Sequence, residues 1–238
     1  MNEENTPIIS ESDESKEQLP DVRSSGNLNI LFPAANEHIP PEEAAKNREV
    51  IQSSSAYTDS GEVFINAKAL PQLLATDRAG ANKFYNDLEK QEQLENGQER
   101  YASVPSVQKE LSKRIQEPRD TIQKERLRDA ENCVTAIRDA PELEKIREVE
   151  ESKIRKEQRT LKGRKIESEG ITECHVTGLP LEPNAEAHHI VRRADNPREA
   201  RNLANVVIVN PDVHREIHKA GAETPEELTE FKKNYKHK

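Results

Sequence analysis

The sequence predicts an α+β chain: a disordered acidic tail, a small α/β or helical unit, a charged helical arm, and a C-terminal unit of two strands and a helix. Three observations predict it. Hydrophobic residues make up only 32% of the 238, with four Phe, four Tyr and no Trp, too few for one core along the whole length. The net charge of −9 is concentrated at one end. Five of the seven histidines fall between residues 175 and 218, among short β-branched runs.

Several classes are excluded at this level. No apolar run approaches the roughly 18 residues needed to cross a bilayer. The opening segment MNEENTPIIS has neither the basic nor the apolar region of a secretory signal. With only Cys133 and Cys174, a reduced, cytoplasmic protein without a disulfide framework is expected.

Residues 1–55 are expected to form the tail. Residues 1–60 hold 4 basic and 12 acidic groups, a net of −8, and their apolar residues follow no period. Such a composition buries too little apolar surface to offset ordering entropy. Leu28-Asn29-Ile30-Leu31-Phe32-Pro33 is one apolar patch able to dock on a partner. An acidic tail can also compete with DNA for a basic surface.

Residues 56–104 read as a small α/β or helical unit of unassigned role. Gly61 to Asn66 reads as a turn and strand, Ala67 to Ala75 as a helix, and Ala81 to Leu94 as a second helix carrying Phe84, Tyr85 and Leu88 at helical spacing. The stretch Gly61-Glu62-Val63-Phe64-Ile65-Asn66-Ala67-Lys68, followed by Lys83-Phe84, resembles the phage KilA-N DNA-binding domain over those residues alone.

Residues 105–169 read as a charged helical arm or spacer. Val107, Leu111 and Ile115 share one face, as do Leu127, Ala130, Val134 and Ile137. Pro118 and Pro141 divide the arm into three segments. Its 17 basic and 15 acidic groups are interleaved, as suits solvent-facing helix surfaces.

Residues 170–238 concentrate the chemistry. Asn210-Pro211 is a helix start, an N-cap residue followed by a proline at the first helical position. His214 and His218 then fall at i and i+4 on one face, where two imidazoles can share one metal ion. Val206 to Val209 is a β-branched run of strand type, and Ala185 to Val191 is a second strand. In a regular strand His188 and His189 point to opposite sides. The segments combine as a hairpin plus helix, with histidines converging from two elements. Thr224-Pro225 opens a final helix that packs Leu228 and Phe231 onto this unit.

The pattern His188-His189, then Asn205 nine residues before His214, then His218 four later, resembles the HNH nuclease superfamily and its ββα-metal motif. The arrangement is closest to that of the DNase-type colicins. The segment Glu173-Cys174-His175-Val176-Thr177-Gly178 resembles the approach to many such modules, and the resemblance covers about residues 170–220. It implies a metal-dependent endonuclease that hydrolyses DNA phosphodiester bonds with low base specificity. His188, His214 and His218 would hold one divalent metal ion, zinc or another transition metal, with magnesium less suited to imidazole. His189 would be the general base. Asn205 would fix the His189 ring or the loop between the strands. Arg192 and Arg193 are candidates for phosphate contacts. Many relatives add two cysteine pairs around a structural zinc; here Cys174 stands alone.

The expected partner is DNA, with RNA equally compatible, and no membrane. Toxins, defence systems, phages and mobile elements use such modules, and a regulatory or immunity partner would follow from the first two. The rival reading is a non-catalytic, zinc-stabilised module that binds nucleic acid or protein. It needs His188, His214 and His218 but neither His189 nor Asn205.

Overall fold

The computed structural model describes residues 22–235, and the chain divides into two units, residues 1–147 and 148–238. Residues 1–21, which make up much of the expected acidic tail, lie outside the described residues. Both units mix helix and sheet, so the α+β class holds. Among the described residues no helix is long and apolar enough to cross a membrane, and both cysteines are free and buried.

The first unit rests on five short antiparallel strands: β1 (Val22–Ser24), β2 (Ser55–Thr58), β3 (Val63–Asn66), β4 (Gln93–Asn96) and β5 (Glu99–Ser103). Their spatial order is β1-β2-β3-β5-β4. The β2–β3 turn needs glycine at position 61. There φ is +78°, and an added Cβ would lie 2.8 Å from Arg147 Cγ. Arg147 in turn donates to the Gly61 carbonyl at 3.0 Å and to that of Arg138 at 2.9 Å, locking the turn.

The helices of this unit are α1 (Pro41–Ser54), α2 (Leu70–Leu73), α3 (Arg78–Asn86), α4 (Val104–Gln116) and α5 (Thr121–Arg138), of which α1 and α4 pack on β3 and α5 packs on α1 and α4; α6 (Pro141–Glu169) follows. Ile51, Ile65, Leu73, Leu111, Leu127 and Ile137 meet in one core. The expected helix over 81–94 stops at Asn86, because Gln93 Nε2 donates to the carbonyls of Tyr85 and Leu88, both at 2.9 Å, and turns the chain into β4.

Two expected boundaries are corrected here. Residues 22–55 are not a disordered tail: they form β1 and α1, and Leu28, Ile30 and Phe32 pack against the core. Their apolar residues lack a period of their own but find a surface supplied by distant elements. Arg48 clamps the segment, donating to both carboxylate oxygens of Asp129 at 3.2 and 2.9 Å and to the Pro33 carbonyl at 2.7 Å. Nor is 105–169 a free arm. The predicted faces of α4 and α5 are buried in this same core, so the unit does not end at 104.

The second unit comprises the later part of α6 with β6 (Glu186–His189), β7 (Val206–Val209), α7 (Pro211–Ala220) and α8 (Pro225–Asn234). β6 and β7 are antiparallel, with His188 opposite Val207 and His189 opposite Val206. Every residue of β7 is buried. Val207 and Val209 join Val213 and Ile217 of α7 and Leu228 of α8 in one cluster, while Val206 and Ile208 meet Leu161 of α6 in another. The hairpin is therefore packed between α7 and α6, and a unit starting at 170 would lack one layer. Leu161, only 1% exposed, is the plug of that layer.

The local signals at the helix starts hold. Thr224 and Glu227 form a reciprocal cap at α8. Asn210 precedes Pro211 in extended conformation as an N-cap should, but its side chain makes no cap bond. Its Oδ1 accepts from the Glu182 amide at 3.0 Å and its Nδ2 donates to the Pro180 carbonyl at 3.2 Å, so it ties the segment before β6 to α7.

Candidate metal centre

Strand register decides where the histidines go. Glu186 and His188 stand opposite Val209 and Val207, on the hairpin face that packs against α7. Ala187 and His189 stand opposite Ile208 and Val206, on the face toward α6. His188 thus meets His214 and His218, which project from one side of α7, while His189 faces away, as the alternation of a strand requires.

One nitrogen from each of His188, His214 and His218 lies within 4.8 Å of the others. Ring centroids are 5.2 Å apart from His188 to either partner and 4.6 Å between His214 and His218, all edge-on. The Nε2 atoms of His214 and His218 approach to 3.1 Å. Among the described residues this is the one group of three or more such side chains able to hold a metal.

The donor set fits a cation. His188 is 3% exposed, and its Nε2 is buried without any hydrogen-bond partner. An unpaired buried polar atom costs roughly 1–3 kcal/mol, so a missing partner is implied. Burial, with the charges of His214 and His218, pushes the His188 pKa down to about 4. The ring is therefore neutral at pH 7, the form that ligates metal without first losing a proton.

Glu186, which sequence reasoning missed, completes the group. Its carboxylate accepts from His214 Nδ1. That bond assigns the proton to Nδ1 and leaves the Nε2 lone pair turned toward His218, an arrangement common around metal-binding histidines. A signal was present: Glu186 precedes His188 by two in a predicted strand, and so shares its face.

His189 is held separately. Its Nε2 lies 3.1 Å from the Ala200 carbonyl, which can only accept, so Nε2 carries the proton and Nδ1 the lone pair.

Asn205 is buried and clamps the connection between the strands, not the His189 ring. Its Oδ1 accepts from the Val191 amide at 2.8 Å and its Nδ2 donates to the carbonyls of Val191 at 3.0 Å and Glu199 at 3.3 Å.

The two arginines differ. Arg192 is engaged by Asp195 at 2.6 Å and Glu223 at 3.1 Å, whereas Arg193 is exposed with no ion pair among the described residues. Cys174 belongs to no metal group. Burial would raise its thiol, but hydrogen bonds from Thr177 and from the main chain at Thr177, Asn210 and Val176 pull it below the usual value.

No family model, no curated protein and no solved structure matches this chain.

Proposed function

We propose that the second unit is a metal-dependent endonuclease of the HNH type that hydrolyses DNA phosphodiester bonds. One observation carries the reading. Three imidazoles converge on one point, and His189, next to His188 in sequence, is oriented through Nε2 by a buried carbonyl while its Nδ1 lone pair stays uncommitted. A purely structural metal site needs the first feature and gains nothing from the second.

His188, His214 and His218 would hold one divalent transition-metal ion. The chemistry such a cation supplies is stabilisation of negative charge on the scissile phosphate and the departing 3′ oxygen. The protein's own residues do the rest. His189 takes a proton from the attacking water at Nδ1, its tautomer set by Ala200. Asn205 keeps the strand connection in shape around that carbonyl. Arg193, exposed and without an ion pair among the described residues, would meet the backbone through its guanidinium. Contacts of this kind read charge and not sequence, so base specificity is low.

Cleavage of supercoiled plasmid with Zn²⁺, Ni²⁺, Mn²⁺ or Mg²⁺, against EDTA and His189→Ala controls, tests the reading. Metal-dependent nicking is expected, reduced about 10²–10⁴-fold in His189→Ala with metal binding retained. Bound metal with no cleavage of DNA or RNA would overturn the reading in favour of a zinc-stabilised binding module.

A further inference from the structure

We propose that Gln158, on α6, is a positioning residue for His189, acting through the Ala200 carbonyl. The inference rests on the reading of His189 as the base. The carbonyl is shared: Gln158 Nε2 donates to it at 2.6 Å, and His189 Nε2 approaches it at 3.1 Å. Ala200 is fully buried, so water does not compete for that oxygen. Each lone pair of the carbonyl has one donor.

The need for an outside tie follows from the backbone. Ala200 lies in a short 3-10 helix, Pro197–Arg201, within the long connection between β6 and β7. Such helices are short and have weak hydrogen-bond geometry, so they do not by themselves aim a carbonyl with the precision a catalytic ring requires. The direction comes from α6. Gln158, Leu161 and Lys165 fall at i, i+3 and i+7, on one helix face. Leu161 plugs the core beneath the hairpin. Lys165, 7% exposed, donates to the Leu203 carbonyl at 2.9 Å while paired with Glu169. Arg201 reaches back to Glu150 at 2.7 Å. The helix therefore holds the connection at 200, 201 and 203, and Gln158 is the tie that ends on the carbonyl orienting His189.

The consequence for chemistry is a fixed tautomer. With the Ala200 carbonyl aimed at it, the neutral imidazole keeps its proton on Nε2. If the carbonyl turns, that preference is lost and the ring is free to present Nδ1–H, which cannot accept a proton. Gln158 touches no reacting atom in this scheme.

The test uses the full chain with ¹⁵N-labelled histidine, at one pH high enough for neutral rings, and reads the His189 tautomer by long-range ¹H–¹⁵N correlation. The expected wild-type state is Nε2–H. Gln158→Glu keeps side-chain length but replaces the donor by a carboxylate that repels the carbonyl; Nδ1–H should grow, while zinc affinity stays unchanged. Gln158→Lys restores a donor and should return the ring to Nε2–H. In cleavage, kcat should fall roughly 10–100-fold in Gln158→Glu with KM unchanged, and recover in Gln158→Lys. An unchanged tautomer in Gln158→Glu, or equal kcat losses in both variants, would overturn the proposal. If the wild type cleaves neither DNA nor RNA, the nuclease reading fails, and the tautomer measurement still decides whether Gln158 sets the ring.

Discussion

The Glu186 carboxylate accepts a hydrogen bond from Nδ1 of His214, joining the start of β6 to α7 beside the three-histidine cluster. The bond fixes which His214 nitrogen faces the cluster and holds the ring in that orientation. Removing such a partner typically weakens metal affinity about 10–100-fold. Glu186→Ala should therefore raise the zinc Kd by that factor in chelator competition. Its metal-free urea midpoint should hardly move, since Glu186 is half exposed. An unchanged Kd would mean that the carboxylate does not tune the site.

Acid should destabilise the second unit through His188. Its folded pKa of about 4 lies below the ordinary histidine value of 6.5, because burial and the neighbouring imidazoles disfavour the cation. Between those two values the unfolded chain binds a proton that the folded chain does not. Stability from this group is complete above pH 6.5 and is lost as pH falls toward 4, at about 1.4 kcal/mol per pH unit. Metal-free protein should accordingly lose urea resistance from pH 7 to 5, and His188→Gln should flatten the dependence. An equal slope in the variant would assign the effect elsewhere.

How much of this was legible follows from which signals are local. Asn210-Pro211, the His214–His218 spacing and the β-branched Val206–Val209 each depend on neighbours in sequence, and each formed the expected element. Leu28, Ile30 and Phe32 look like part of a disordered tail in sequence because their partners lie on distant elements, a relation no period reveals. The assignment of His188 to α7 and His189 to α6 needed the pairing with Val207 and Val206, which fixes the face as well as the alternation. Gln158 carried no signal at all. On a 29-residue helix dense in Glu, Lys and Arg, one amide that ends on a buried carbonyl looks like any other polar residue.

The role of α6 as a wall of the second unit gives a prediction about stability. Leu161 fills the space under Val206 and Ile208, and no other fully buried residue of α6 shares that cluster. Leu161→Ala should cost about 2–5 kcal/mol, the range for a buried leucine replaced by alanine. For the same reason a fragment of residues 148–238 should fold, with dispersed amide resonances and a cooperative urea transition. A fragment of residues 170–238 should show neither. Equal cooperativity in the two fragments would show that the hairpin and α7 suffice.

Arg192 and Arg193 follow one another in sequence but not in availability. Arg192 forms ion pairs with Asp195 and Glu223, and a phosphate must displace both to reach it. Arg193 is exposed and offers its guanidinium without such competition. A phosphate contact releases condensed counterions, so the logarithm of affinity falls with the logarithm of salt concentration by about 0.9 per contact on duplex DNA. Arg193→Ala should therefore weaken binding to any duplex and reduce the salt slope by about one. Arg192→Ala should change the slope less, because the contact it removes is paired within the protein. Fluorescence anisotropy of a labelled duplex across a salt series measures both. If Arg192→Ala lowers the slope and Arg193→Ala leaves it intact, the ion pairs of Arg192 yield to DNA, and Arg192 is the residue that grips the backbone.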